Sequence, residues 1–527
     1  LGGLIIALVG YAAVPVGMGC GSLMPWVDAE RIGPQLLSYY AWPFLILAIP
    51  NIFLMCAVLF ALATLLRSMM AAYIGAIALV MGYMVTSSVL AQKIEYREAA
   101  ARWEPLGTGA LGQATRYWTQ NDMNTRLVEL TGDLLFNRIW AVVLGLLFLG
   151  FTLWRFSMTE RAPSRWRLKR LAKKQARERS LAELPAQSGG ELITARNLKP
   201  SAGVQFLTRL RVEVRQVLTS PGLIILTLLA IGFTGLVLFI GQSIYGTSDH
   251  PTVAATVTAA RGGSAIFLLM IAAFYGGELV WRERDRKLNE LIDSTAVPSW
   301  VMTVPKILAI FLVLLVVNLA AALTGIAYQL IAGGRVLGFA QYLGWFIVPA
   351  AIDGLLIAML AVFLQVLSPN KYVGWGILFV WFVAGIFLNN VGYGNPLYTY
   401  VGGPNVPLSD FVGAGDFWWG AAVFQFYWHC FALILAVLAH LLWPRGTDLS
   451  LGTRLRRVPR LATAPALATA VIAAVLMAAT GAYAYRNIKV LNRYQTSDDA
   501  EKFAADYERK YLKYEKVPQP SITRVML

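Results

Sequence analysis

Charged side chains are scarce in this sequence: Asp, Glu, Lys and Arg make up 14% of its 527 residues, whereas hydrophobic residues make up 57%. Soluble proteins average about 25% charged and about 45–50% apolar residues. The shortage of charge excludes an ordinary soluble domain and predicts an all-α polytopic membrane protein. The net charge of +16 then indicates Lys and Arg in cytoplasmic loops beside anionic lipid. The lipid bilayer, and no nucleic acid, is the predicted partner.

Cysteine and histidine are also rare, at three residues each. Cys20, Cys56 and Cys430 lie in or at the end of apolar segments and show no pairing pattern, so no disulfide framework is predicted. The sequence contains neither H-E-x-x-H nor G-x-x-x-x-G-K-[ST], and no plausible nucleophile–base pair. It therefore predicts no metal, cofactor or catalytic site in this chain. If ATP drives the protein, a separate subunit must bind it.

Apolar runs of about 20 residues, the length that a membrane-spanning helix needs, recur along the whole chain. Tight turns at Arg67-Ser68 and at Ser368-Pro369-Asn370-Lys371 separate two pairs of them. Eleven segments are predicted to span the membrane: 1–19, 41–66, 70–92, 138–157, 221–244, 262–281, 304–331, 341–367, 372–391, 418–443 and 464–485.

The distribution of Lys and Arg predicts the orientation of these helices, because basic residues concentrate in cytoplasmic loops. Segment 155–179 carries ten basic residues and is therefore predicted to be cytoplasmic. Counting helices from this segment also places 282–303 and 445–460 in the cytoplasm. The extracytoplasmic segments are then 93–137, 245–261, 389–417 and the tail after Arg486.

The chain is predicted to consist of two halves that repeat in the same direction. Segments 1–157 and 304–446 each read helix, short outer loop, helix, tight inner turn, helix, long outer loop, helix. Both tight turns lead into Tyr-x-Gly, at Tyr73 and at Tyr372. This pattern is typical of a parallel repeat about an axis along the membrane normal. Because two helices precede the second copy, the first half is expected to lack its first two helices.

These limits define the predicted domains, and the tail has a pattern of its own. Aromatic residues at helical spacing predict an extracytoplasmic helix over 494–516, capped by Ser497 or Asp498, before a strand-like run at Ser521–Leu527. The domains are the incomplete first half at 1–157, a basic cytoplasmic linker at 158–203, the second half at 204–446, a cytoplasmic connector with a further transmembrane helix at 447–485, and the extracytoplasmic tail at 486–527.

An amphipathic helix is predicted over 204–220, immediately before the fifth span. We interpret it as a helix in the plane of the membrane surface; the alternative is a cytoplasmic helix packed on a partner. Its apolar stripe comprises Phe206, Leu210, Val214, Val217 and Leu218, whereas Arg209, Glu213 and Gln216 lie off that stripe.

The densest group of charges stands between two spans, in the stretch that leads to Lys306. Leu288, Leu291 and Ile292 recur there at the spacing of one helical face, surrounded by charged residues. The pattern predicts a short surface helix that receives force from a cytoplasmic partner. An ordinary amphipathic loop that obeys the positive-inside rule is the alternative.

Two polar residues are predicted at nearly the same depth in the two halves. Asp353 stands in the eighth span and Asn51 in the second. An ionisable residue at membrane depth is costly, so Asp353 is a candidate for a functional role, facing Asn51 across the pseudo-twofold axis. A buried polar contact that fixes helix packing is the alternative.

Six-helix halves, an in-plane helix and a charged loop between the second and third helices of a half resemble the permeases of ABC type-2 exporters. In that family the loop contains a coupling helix that sits on the nucleotide-binding subunit. The resemblance implies that a separate ATP-binding-cassette ATPase, present in two copies, is the partner and binds the ATP. The coupling-loop residues that it implies are Glu283, Arg284, Leu288, Leu291, Ile292 and Pro298.

Strings spread over the chain are similar to one bacterial subfamily, in which a twelve-helix permease is fused to an aminopeptidase N-like zinc peptidase. The resemblance implies an extracytoplasmic peptidase domain, with its zinc, beyond the tail, and a location in the bacterial inner membrane. G-A-M-E-N and H-E-x-x-H are absent here, so no catalytic residue is carried over. The strings are GSLMPWVD, FALATLLRS, ATRYWT, YGGELVWRERDRKLNELIDS, VLSPNKYVGWG, HLLWPRGT and VLNRYQTSDDAEKFAADYERKY.

These features together predict the membrane part of an ATP-driven exporter, or of a mechanotransducing relative, fused to an extracytoplasmic aminopeptidase. Three alternatives stay open at this point. The chain is a membrane anchor for the peptidase without transport, or it transmits ATP-driven motion to the peptidase without moving cargo. The third alternative is a proton-coupled secondary transporter that uses Asp353.

Overall fold

A computed structural model describes most of the chain. The linker predicted at 158–203 and the strand-like run predicted at Ser521–Leu527 lie almost entirely outside the described residues. The described residues are 2–24, 33–66, 69–84, 86–87, 94–156, 201–241, 243–244, 247–248, 250–295, 297–334, 336–388, 393–446, 450–492, 494–518 and 524.

Helices and the loops between them make up the described residues, apart from a two-residue ladder of Ser243–Ile244 with Thr247–Ser248. In chain order the helices are α1 (Gly2–Ser22), α2 (Leu37–Leu66), α3 (Met69–Met84), α4 (Ile94–Trp103), α5 (Thr108–Ala114), α6 (Gln120–Thr125), α7 (Gly132–Arg155), α8 (Ala202–Leu218), α9 (Pro221–Gly241), α10 (Val253–Asp285), α11 (Asn289–Asp293), α12 (Ser299–Ile331), α13 (Phe339–Leu367), α14 (Lys371–Leu388), α15 (Phe417–Leu441), α16 (Leu451–Leu461), α17 (Ala464–Leu491) and α18 (Ser497–Tyr511).

Ten helices in the described part of the chain are long and apolar enough to cross a membrane: α1, α2, α7, α9, α10, α12, α13, α14, α15 and α17. They correspond to ten of the eleven predicted spans. The remaining one, predicted at 70–92, corresponds to α3, which has 16 residues. The prediction of a helical multi-pass membrane protein is therefore confirmed. The chain divides into two compact units, Leu1–Ser201 and Ala202–Leu527.

In the first unit, α2 packs against α1, α3 and α7. Leu54 and Val58 of α2 and Ala141 of α7 form its buried apolar cluster. Gly145 brings α7 close to α2, because a Cβ at that position would lie 2.6 Å from the ring of Phe53. Small residues at such contacts let membrane helices approach closely, which replaces the hydrophobic driving force that lipid does not supply.

The second unit is arranged around α12, which contacts α8, α9, α10, α13 and α15. Val257 of α10, Ala321 of α12 and Phe346 of α13 are buried in one apolar cluster. The hydroxyl of Tyr342 in the same cluster donates to Gln329 Oε1 of α12 at 3.1 Å. That bond satisfies two buried polar groups at once.

One helix of each unit contains a π-helical turn just before a proline. Phe44–Ala48 precedes Pro50 in α2, and Tyr342–Ile347 precedes Pro349 in α13. A proline has no N–H to donate to the carbonyl four residues earlier, and a locally wider turn accommodates the missing bond. The two prolines thus explain the same irregularity in both helices.

The helix predicted at 204–220 is present as α8, and Phe206, Leu210 and Val214 of its predicted stripe are half-buried. Val217 is buried as expected, and so is Glu213, which was predicted to lie off the apolar stripe. Glu213 faces the protein because it pairs with charges from α10 and α12. Leu207 is exposed on another side of the helix, and so is Leu218, which was predicted on the apolar stripe. The placement of α8 in the membrane surface stays a prediction.

Candidate functional site

Five charged side chains from three helices meet at one end of the second unit. Arg209 and Glu213 come from α8, Arg282 and Glu283 from the last turn of α10, and Lys306 from the first turns of α12. We call these five residues the charge cluster. The side chains of Glu213 and Lys306 are 0% exposed, and those of the other three are 13–18% exposed.

Lys306 is at the centre of the charge cluster. Its ammonium donates hydrogen bonds to Glu213 Oε1 at 3.1 Å, to Glu283 Oε1 at 2.9 Å and to the backbone carbonyl of Leu279. Three acceptors match the three N–H groups of an ammonium. The two arginines of the cluster each pair with both carboxylates, so no charge of the cluster lacks a counter-ion.

Charges this far from water are stable only as a network. Removing an ion from water costs several kcal/mol, which is offset only when well-placed partners satisfy it. Burial alone would raise the pKa of Glu213, but Lys306, Arg209 and Arg282 hold that pKa below its usual value. Glu213 is therefore a carboxylate in the folded protein. The cluster fixes the mutual positions of α8, α10 and α12.

The 286–298 loop, which follows the charge cluster, exposes apolar side chains. It contains the single turn of α11 between the ends of two long helices. Leu288 is 47% exposed and Leu291 73% exposed, whereas Ile292 is half-buried. Two of the predicted coupling residues are thus fully available to a partner, and a third is partly available.

Hydrogen bonds hold the 286–298 loop against the segment that follows α15. Arg284 donates to the carbonyl of Gly446 at 3.1 Å, and the Gly446 N–H donates to Asp293 Oδ2 at 2.9 Å. Gly446 has a φ of 75°, a conformation that glycine adopts without strain. These bonds make the loop a fixed part of the second unit.

The predicted coupling residues therefore fall into two groups. Leu288, Leu291 and Ile292 lie at the surface of the loop. Glu283 and Arg284 point inward. Glu283 belongs to the charge cluster, and Arg284 donates to the carbonyl of Gly446. Pro298 is half-buried and is the N-cap residue of α12. Their role in seating an ATPase stays a prediction.

Other segments predicted to be cytoplasmic lie at the same end of the second unit. Lys371, at the start of α14, bonds Glu278 at 3.0 Å and Asp285 at 2.9 Å on α10. Arg454 of α16 donates to the carbonyl of Leu442 at 3.1 Å. Direct contacts thus join 282–303, the inner turn at 368–371 and 445–460, three segments that the helix count places on one side.

The opposite end of the second unit joins segments predicted to be extracytoplasmic. Asp410 accepts the Ala254 N–H at 3.1 Å, a favourable place for a carboxylate because it is the N-terminus of α10. Leu397 of the 389–417 segment is buried together with Phe424 of α15 and Ala484 of α17. The last span therefore ends beside that segment.

Asp353 is paired at membrane depth. Its Oδ2 accepts from Arg261 of α10 at 3.2 Å, and its Oδ1 accepts from Gln425 Nε2 of α15 at 2.8 Å. The arginine supplies the opposite charge that an ionised side chain needs inside a membrane. Sequence reasoning missed Arg261 because Arg-Gly-Gly is typical of a loop, whereas α10 begins at Val253. Thr252 is the sequence signal that could have marked the longer helix, because its side chain caps α10 by accepting from the Ala255 N–H.

Asn51 is part of a hydrogen-bonded group in the first unit. It donates to the carbonyl of Leu106 and accepts from Arg138 of α7, both at 2.9 Å. Arg138 also donates to Asn137, which in turn donates to the carbonyl of Glu104 at 2.8 Å. The group ties the segment of α4 and α5 to α2 and α7. The predicted approach of Asn51 to the aspartate of the other half stays a prediction.

Within the described residues, no group of three or more His, Cys, Asp or Glu side chains is placed to hold a metal ion. The chain has no match among protein-family models, curated proteins or solved structures. The charge cluster, the 286–298 loop and the Asp353 pair are the groups of the second unit whose geometry bears on function. This arrangement is suited to transmitting a displacement between helices.

Proposed function

We propose that this chain is the permease part of an exporter or mechanotransducer driven by a separate ATP-binding-cassette ATPase. The observation that carries the proposal is the position of the 286–298 loop. The loop exposes Leu288 and Leu291 and is joined directly to the charge cluster, which holds α8, α10 and α12 together. A partner that pushes on these leucines would therefore displace three helices as one body.

α10 can carry such a displacement across the membrane. It is a continuous helix of 33 residues, about 50 Å long, with the charge cluster at one end. Arg261 lies toward the other end, about 33 Å from Glu283 along the helix axis, and pairs with Asp353 of α13. The ion pair is thus placed to respond to the loop. A passive anchor has no need for this connection.

Two parallel repeat halves are part of the proposal. α2 packs against α3 and α7, as α13 packs against α14 and α15. The π-helical turn before a proline occurs in both α2 and α13. These similarities support the repeat predicted from the tight turns. Repeats of this kind supply the two states that alternating access needs.

The proposal predicts that Leu291→Asp abolishes binding of the partner ATPase while the permease stays folded. Leu291 is 73% exposed, so an aspartate there remains hydrated in the free permease. In the complex it would bring an unpaired charge into an apolar contact, which is costly. We expect about tenfold or more loss of bound ATPase, as for a central interface residue. Co-purification with tagged permease measures it.

The matched control for this experiment is Leu512→Asp. Leu512 is 59% exposed but lies in the predicted extracytoplasmic tail, so ATPase recovery should not change. Both variants should give the same yield of monodisperse permease. Undiminished ATPase recovery with Leu291→Asp would show that the loop is not the coupling element.

The proposed location is the bacterial inner membrane, with the 445–460 segment in the cytoplasm and the tail outside. Arg456 and Lys502 are both exposed and lie on either side of α17. In a variant without the native cysteines, Arg456→Cys should resist a membrane-impermeant thiol reagent in intact cells, whereas Lys502→Cys should react. Both should react after permeabilisation. The opposite labelling in intact cells would invert the proposed topology.

The zinc aminopeptidase that the resemblance implies is proposed for the parent protein, with α18 as a lead into it. The resemblance assigns no residue of this chain a role in that chemistry. An anchor for such a peptidase, and a proton-coupled transporter that uses Asp353, are the competing proposals. Neither needs an ATPase on the 286–298 loop, so the co-purification experiment separates them from the exporter and the mechanotransducer.

A further inference from the structure

α16 is an amphipathic helix that is held at one point and exposed around most of its surface. Arg454 is buried and Val458 half-buried, and these two side chains face the protein. Successive side chains turn by about 100°, so Arg456 and Arg460 lie on the opposite side and Arg457 lies on the flank of the helix. All three are exposed. None of them forms an ion pair with another described residue.

Arg454 fixes α16 to the ends of two membrane helices. Its guanidinium donates to the carbonyls of Val366 and Leu367, which end α13, and to the carbonyl of Leu442, just beyond α15. The last carbonyls of a helix have no partner within the helix and carry its partial negative charge. Arg454 satisfies carbonyls from both helices, so the position of α16 is coupled to both.

The start of α17 sets the depth of α16. α17 begins at Ala464, and α16 ends at Leu461. The C-terminal end of α16 is therefore at the membrane surface. Leu451, Leu455 and Leu461 are 39%, 52% and 48% exposed, and they flank the side of the helix that faces the protein. Exposed leucines at the depth of the lipid headgroups can contact the acyl chains of the lipids.

We propose that α16 is a binding site for the headgroups of anionic phospholipids, with Arg456, Arg457 and Arg460 as the residues that attract them. The three arginines, which form no ion pair with another described residue, provide the charge. The exposed leucines provide an apolar contact that a purely acidic protein partner would leave in water. The covalent connection to α17 keeps both features at the bilayer surface. A bound lipid would stabilise the junction that Arg454 makes with α13 and α15.

This proposal depends on the membrane character of the chain and not on its transport function. The test uses the full-length chain, delipidated in detergent and titrated with phosphatidylglycerol or phosphatidylcholine, with bound lipid counted by native mass spectrometry. We expect phosphatidylglycerol to bind more tightly. Each basic residue at an anionic surface contributes about fivefold in affinity. The variant Arg456→Gln/Arg457→Gln/Arg460→Gln should therefore lose about tenfold or more in phosphatidylglycerol affinity.

The control variant Arg509→Gln/Lys510→Gln/Lys513→Gln loses the same charge on exposed positions of the tail and should keep its phosphatidylglycerol affinity. An equal loss in this control would overturn the proposal, since net charge alone would then decide binding. Unchanged phosphatidylglycerol affinity in the α16 variant would also overturn the proposal, and an acidic protein would then be the ligand that the arginines fit. Displacement of phosphatidylglycerol by inorganic phosphate at matched concentration would show a phosphate site instead of a lipid site.

Discussion

Replacing Glu213 with glutamine is expected to lower the free energy of unfolding by about 3–5 kcal/mol, the typical cost of removing one partner from a buried ion pair. Glutamine keeps the size of the side chain and removes its charge. The charge cluster would then hold three cations and one carboxylate. Lys306, which is 0% exposed, cannot reach water to compensate. The melting temperature in detergent, compared with that of the parent protein, measures the loss.

A second variant separates the charge effect from a general loss of packing. Glu213→Gln/Lys306→Met removes one charge of each sign and restores the net charge of the cluster, so it should be more stable than Glu213→Gln alone. The control Glu508→Gln, at an exposed position of the tail, should have the same melting temperature as the parent protein. If Glu213→Gln has the melting temperature of the parent protein as well, the charge cluster does not hold α8, α10 and α12 together.

The charge cluster could not be predicted from the sequence, although all its members were visible. Glu213 was placed on the polar side of its helix because hydrophobic periodicity assigns every polar residue to the solvent side. Lys306 was placed at the start of the span predicted at 304–331, but its full burial there was not predicted. Burial of both residues depends on three helices meeting, which is a tertiary property that local pattern does not contain.

The membrane spans could be predicted because each depends on a local property, the length of an apolar run. Asp353 was identified for the same reason, since a charge inside such a run is conspicuous. Its partner Arg261 was missed because Arg-Gly-Gly is typical of a loop, so the predicted span began only at residue 262. The cap of α18 shows the same limit: Thr496 forms the capping box with Asp499, where Ser497 or Asp498 was expected among adjacent polar residues of similar capping ability.

Replacing Asp353 with leucine should lower the free energy of unfolding by about 1–3 kcal/mol, because Arg261 would keep its charge at membrane depth without a counter-ion. Because the Arg261 side chain is 43% exposed, this loss of unfolding free energy should be smaller than the loss expected for Glu213→Gln in the charge cluster. The double variant Arg261→Met/Asp353→Leu should recover most of the loss, since both charges are then absent. Melting temperatures of the two single variants and the double variant measure this coupling.

Asp353→Asn separates packing from function at the same position. The single carbonyl oxygen of an asparagine can still accept from Arg261, and its NH2 group can donate to Gln425 once the Gln425 amide turns its oxygen toward it. This variant should therefore fold with a smaller loss of stability than the leucine variant. Its ATP turnover with the partner ATPase in vesicles then decides between the two interpretations. Turnover at the parent rate would assign the pair to helix packing. Loss of turnover in folded protein would show that the negative charge is needed when α10 moves, because asparagine keeps the size and polarity of the side chain and removes its charge.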